Sequence, residues 1–222
     1  SVMLNASGGI TAGDFIKSED GALTLTAESG DITASGAQIY GSEDVTLNAS
    51  GGITAGTYIR SNNGSLTLTA ESGDIAVSGD IVAAGTGTFA AAGDVTLSGG
   101  VATGALGSFV DGLESSGLSG DLTVTSESGD ITRTGSEYGI TVYSGDLTMT
   151  AETGGITQTS GGYIRSQNGS LTLTAGSGDI AASGYIRGND SVTLNASGGI
   201  TGGNFIRANT GSLILGAESG DI

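Results

Sequence analysis

Short stretches that alternate apolar and polar residues recur along the whole chain. Leu23-Thr24-Leu25-Thr26 is the clearest, and Val2-Met3-Leu4-Asn5, Val45-Thr46-Leu47-Asn48 and Leu66-Thr67-Leu68-Thr69 share its pattern. The pattern returns at Val95, Leu122, Leu147, Leu171, Val192 and Leu213. Successive starts are 21, 22, 21, 29, 27, 25, 24, 21 and 21 residues apart, so the unit is about 21 residues with insertions confined to the middle. Two more strand signals follow in each unit. The second is an Ile after Gly-Gly or Gly-Asp, as at Ile10, Ile32, Ile53, Ile75, Ile131, Ile156, Ile180, Ile200 and Ile222. The third is an aromatic-Ile pair with a basic residue after it: Phe15-Ile16-Lys17, Tyr58-Ile59-Arg60, Tyr163-Ile164-Arg165, Tyr185-Ile186-Arg187 and Phe205-Ile206-Arg207. Ser-Gly, Asn-Gly and Gly-Asp between them are turn chemistry. No window carries a 3.6-residue apolar period, which predicts few helices.

Three strands of a few residues per unit are too short for a meander. They suit a coil of a parallel β-solenoid, in which each strand pairs with its counterpart one unit away. The expected fold is therefore all-β, with about ten triangular coils of ~21 residues and a core roughly 48 Å long at about 4.8 Å per coil. The period of two sorts the faces: Leu23, Leu25, Ile32 and Ile16 inward, Thr24, Thr26 and Thr33 outward, with Ala27 and Ala34 filling corners. The absence of Pro agrees, since central strands donate their N–H groups to the next coil.

The first corner alternates. Asn5–Ile10, Asn48–Ile53 and Asn195–Ile200 read Asn-Ala-Ser-Gly-Gly-Ile, whereas Ala27–Ile32, Ala70–Ile75 and Ala217–Ile222 read Ala-Glu-Ser-Gly-Asp-Ile. Acidic corners in every second coil would lie about 10 Å apart, near a Debye length, so the alternation reads as charge relief. Residues 76–120 depart from the pattern: Ala83–Ala92 is rich in Ala and Gly, Val101–Leu118 keeps few repeat landmarks, and the stretch predicts one or two lengthened coils with a loop bulging from a corner. The whole of 1–222 reads as one solenoid segment. The chain starts and stops on strand signals without a cap, which predicts a slice of a longer array, or identical subunits stacking end to end.

Composition narrows the chemistry. Six basic against 23 acidic residues give a net charge of −17, which argues against nucleic acid and against an anionic membrane surface as partners. There is no Cys and no His, hence no zinc site, thiol nucleophile, haem ligand or Ser-His-Asp triad. No apolar run of about 18 residues predicts a bilayer span, and no basic segment followed by an apolar one opens the chain as a signal peptide.

The segments Gly64–Ile75 (Gly-Ser-Leu-Thr-Leu-Thr-Ala-Glu-Ser-Gly-Asp-Ile) and Asp44–Gly56 (Asp-Val-Thr-Leu-Asn-Ala-Ser-Gly-Gly-Ile-Thr-Ala-Gly) resemble the repeats of the filamentous haemagglutinin family. Its members are large exoproteins of Gram-negative bacteria, secreted through an outer-membrane partner. The resemblance implies a right-handed parallel β-helix, an extracellular or cell-surface location, and a non-catalytic role as adhesin, toxin stalk or filament. The family's secretion domain and a toxin tip are not recognisable here.

Four sets of residues are candidates for function. Tyr163/Arg165, Tyr185/Arg187 and Phe205/Arg207, with Tyr58/Arg60 earlier, would form an outward strip of rings and guanidinium groups. Such a strip either binds host or neighbouring-cell glycans, or is a ladder whose cations offset nearby carboxylates such as Asp179. Outward Thr-x-Thr pairs (Thr24/Thr26, Thr67/Thr69, Thr123/Thr125, Thr148/Thr150, Thr172/Thr174) resemble an ice-binding array, or simply follow β-propensity. The pairs Glu28/Asp31, Glu71/Asp74, Glu127/Asp130 and Glu218/Asp221 are either a solvated acidic edge or weak calcium ligands, with no other cofactor implied. Pairs repeated in coil after coil do not form the single cleft of a glycosidase. Asn-x-Ser at Asn5, Asn48, Asn63, Asn168, Asn189 and Asn195 is either turn chemistry or a glycosylation acceptor.

Overall fold

The computed structural model describes residues 1–104, 120–135 and 139–222. The described residues form twenty-eight short strands in three parallel sheets, of ten, nine and nine strands. The described residues contain no helix. Each sheet takes one strand from every coil, so the chain makes nine turns and begins a tenth. The first sheet runs from Val2–Ala6 and Leu23–Ala27 to Leu213–Ala217, the second from Ile10–Thr11 to Ile200–Gly202, and the third from Phe15–Ser18 to Phe205–Ala208. Every pairing is parallel and in register, as in Leu23↔Val45 and Leu25↔Leu47. The parallel β-solenoid expected from the repeat is the observed fold.

Alternation within each strand builds the core. Leu23, Leu25, Ala27, Ile32, Ala34 and Ile39 of the second coil are buried, and their counterparts in later coils stack on them. Each buried Leu or Ile contributes about 1.5–3 kcal/mol, too little for one coil to stand alone. Stacking makes the core continuous, and the hydrogen-bond ladders make it directional.

The middle of the array corrects the expected register. Val95 does not start a first-sheet strand. Val95–Leu97 lies in the second sheet between Ile75–Val77 and Ile131–Arg133, and the fifth strand of the first sheet is Gly87–Ala91. The Leu-x-Leu pair of other coils becomes Gly-x-Phe here. Phe89 is fully buried, and a side chain at Gly87 would meet Leu122, Thr103 and the Phe89 ring. The Phe89 ring reaches over Gly87, and this Gly-x-Phe pair hides the strand from a search for branched pairs. Coil four is consequently of ordinary length, and coil five, which runs from Gly87 to the next first-sheet strand at Leu122, is the lengthened one. The extra residues fall between Gly104 and Gly120, which meet at the corner between the third and first sheets, where the Thr103 hydroxyl donates to the Gly120 carbonyl at 3.1 Å. Residues 105–119, within the 76–120 stretch where a loop is expected, lie outside the described residues.

Candidate functional site

The outer face of the third sheet carries the aromatic and basic residues, in two groups. Two outward positions flank each buried Ile. At the C-terminal end the first position stacks Tyr163, Tyr185 and Phe205 in three successive coils, and the second stacks Arg165, Arg187 and Arg207. The Tyr163 and Tyr185 rings are 4.9 Å apart and 21° from parallel, and Tyr185 meets Phe205 edge-on at 4.8 Å. The Arg165 guanidinium lies 5.1 Å from the centre of the Tyr163 ring, and its Nε donates to the Thr141 hydroxyl at 3.1 Å. The ladder is in place, with Tyr163 and Tyr185 stacked face to face and Tyr185 edge-on to Phe205.

Near the N-terminus the first position holds Phe15, Gln38 and Tyr58, and the second Lys17, Tyr40 and Arg60. Lys17 lies 5.3 Å from the Tyr40 ring centre and pairs with Glu19 at 3.0 Å. Arg60 donates to the Tyr58 hydroxyl at 3.1 Å and to Asn62 Oδ1 at 2.8 Å. Between the two groups, Val82, Ala102 and Thr141 occupy the second position and are buried. The strip expected from Tyr58/Arg60 onward is therefore two separate patches. The sequence reading overlooked Gln38 and Tyr40, because their strand breaks the aromatic-Ile-basic order.

The acidic corners carry a definite structural task. Asp31 Oδ1 accepts the Gly52 N–H of the next coil at 2.7 Å, Asp74 that of Asp94, Asp130 that of Gly155, and Asp179 that of Gly199. Asp94 is both donor and acceptor, since its own Oδ1 takes the Asp130 N–H at 2.8 Å. A second such ladder runs along the corner before the first sheet, through Asp44, Asp121 and Asp146. Serines point the other way: the Ser72 hydroxyl donates to the Ser50 carbonyl of the preceding coil at 2.6 Å, and Ser219 to Ser197 likewise. The corners are thus stitched in both directions along the axis. Charge relief does not govern the spacing. Asp74, Asp94 and Asp130 lie in three successive coils, and Glu127 and Glu152 follow paired residues of adjacent coils. Glu28, Glu71, Glu127, Glu218 and Asp221 are exposed. Among the described residues, no group of three Asp, Glu, His or Cys side chains is placed to hold a metal ion.

Three further placements matter. The first outward column of the first sheet is Thr24, Thr46, Thr67, Thr88, Thr123, Thr148, Thr172 and Thr193, eight threonines in consecutive register. The second column is broken by Asn48, Ala90 and Asn195. Of the Asn-x-Ser positions, Asn168 uses its amide nitrogen to donate to the Tyr143 carbonyl at 2.7 Å, and Asn189 donates to Asp190 at 3.1 Å. Arg133 has an inward register position between Leu97 and Gln158 and is only 1% exposed. Its guanidinium donates to the Gly135 carbonyl and to the Ser160 hydroxyl. Burial lowers its pKa from the ordinary value, and the charge of Asp80 opposes that shift. Sequence alternation would have found this inward arginine, two positions after inward Ile131.

The Toastrack DUF4097 family model matches residues 54–201, and the hemagglutinin repeat model matches residues 11–57. No curated protein and no solved structure matches the chain.

Proposed function

The chain belongs to the Toastrack DUF4097 family, and from that premise and the geometry above we propose that it is a rigid, non-catalytic stalk of an adhesin-like protein exported to the cell surface. It is a haemagglutinin-like β-solenoid segment, and the finer role rests on one observation. Three in-register ladders run through all nine turns, and aspartate and serine bonds stitch the corners between them. A load along the axis is then shared by many short backbone bonds in parallel. The side chains suit an external spacer: strongly acidic, without thiols, and with its carboxylates repeated at corners instead of converging in a cleft. The hemagglutinin repeat over residues 11–57 supports the surface location.

Antibody labelling of intact and lysed producing cells tests the proposal. Labelling of intact cells is expected, together with small-angle scattering from a rod about 43 Å long, nine coil spacings. Labelling only after lysis would overturn the location, and a compact sphere would overturn the stalk.

A further inference from the structure

The two patches on the third sheet differ in what their rings meet. In the C-terminal ladder, Tyr185 has Tyr163 on one side and Phe205 on the other, and Arg165 covers Tyr163. At the N-terminal end Gln38 stands where a middle ring would be. Phe15 and Tyr58 are therefore two coils apart, about 9.6 Å along the axis, instead of one. Phe15 is 65% exposed. Tyr40 stands in the neighbouring column, level with Gln38. Phe15, Lys17, Gln38, Tyr40 and Tyr58 line a groove of about 300 Å³.

We propose that this groove binds a neutral saccharide chain, with one pyranose ring between Phe15 and Tyr58. A pyranose offers an apolar C–H face to an aromatic ring and hydroxyls around its edge. The Gln38 amide and the Tyr40 hydroxyl provide both donors and acceptors for those hydroxyls. The charges select against an acidic saccharide. Lys17 is paired with Glu19, Arg60 is committed to Tyr58 and Asn62, and the field of a −17 chain repels anions. The site is shallow, so the dissociation constant is on the order of 1 mM. This inference goes beyond the stalk reading, and its failure would leave the rod and its location untouched.

The test titrates the full chain with cellotetraose, chitotetraose and maltotetraose, followed by tyrosine fluorescence and by saturation-transfer NMR. The chain has six Tyr and no Trp, so the fluorescence comes from tyrosines alone, Tyr40 and Tyr58 of the groove among them. At least one of the three sugars is expected to bind. Phe15→Ala should weaken binding at least fivefold. Gln38→Tyr completes the ring stack, and should abolish binding while leaving the melting temperature unchanged or higher. Tyr185→Ala, in the self-stacked ladder, should leave affinity as it was. Binding of none of the three sugars would overturn the proposal. So would binding that survives Gln38→Tyr, binding that falls with Tyr185→Ala, or tighter binding of a trigalacturonate probe.

Discussion

Glycine 93 and aspartate 74 provide a sharp test of how the corners are held. Asp74 Oδ1 accepts the Asp94 N–H of the next coil at 2.8 Å, and a Cβ on Gly93 would lie 2.0 Å from that same oxygen. The next nearest atoms would be Asp74 Cγ at 3.2 Å and the Gly73 carbonyl carbon at 3.4 Å, so the clash is with the carboxylate and not with the backbone. Gly93 is not in the left-handed region, so alanine suits its backbone. Asp74→Ala removes one charge-assisted bond at an exposed corner and should cost about 1–1.5 kcal/mol. Gly93→Ala forces Asp74 aside, losing the same bond and adding strain, and should cost about 2–3 kcal/mol. Once Asp74 is alanine, the space is free. Gly93→Ala then only restricts the unfolded chain and should stabilise by about 0.4–1 kcal/mol. The sign of one substitution thus depends on the other, with a coupling of about 3 kcal/mol. Guanidinium unfolding followed by circular dichroism measures the four proteins. Hydrogen exchange at the Asp94 amide locates the effect, since repeat arrays can open in segments. Equal destabilisation by Gly93→Ala in both backgrounds would refute the reasoning.

Three other outcomes follow from the core and the corners. Phe89→Ala removes a fully buried ring beside Gly87 and should cost about 3–5 kcal/mol by denaturant unfolding, whereas a cost below about 1 kcal/mol would mean that Phe89 does not fill the core. Arg133→Ala strands the Gly135 carbonyl and the Ser160 hydroxyl, and should destabilise by about 2–3 kcal/mol, with faster hydrogen exchange confined to coils six and seven. Calcium at millimolar concentration should not move the melting midpoint, because one oxygen of Asp31, Asp74 and Asp130 is already held by a backbone N–H. A rise reversed by chelator would show that the corners hold the ion.

The sequence made the coil legible because its periodicity is strict where the core is strict. Leu23 and Leu25 recur as Leu171 and Leu173, and all four are buried. It misled where one solution to the packing replaced another. Gly87 and Phe89 take the register positions of two leucines, and Val95 imitates a first-sheet start because Val-Thr-Leu suits either sheet. The aromatic ladder was visible as a spacing, but ring orientation was not. That orientation separates Tyr185, between Tyr163 and Phe205, from Phe15, whose register partner in the next coil is Gln38. The aspartate ladders leave a sequence trace that alternation alone did not expose. A Gly stands opposite Asp31, Asp74, Asp94 and Asp179 in the next coil, at Gly51, Gly93, Gly129 and Gly198, because the carboxylate fills the space of its side chain.

The account depends above all on residues one coil apart lying side by side, whatever the sequence gap between them. The native chain has no cysteine, so spin labels can be placed cleanly on the outward threonine column. With one label at Thr46 and the second moved through Thr123, Thr148, Thr172 and Thr193, pulsed EPR should read about 14, 19, 24 and 29 Å, one coil spacing per step. The sequence gaps between these partners are unequal, Thr123↔Thr148 being longer than Thr172↔Thr193. Steps that scale with those gaps, or a distance that shortens along the series, would contradict the stacked solenoid.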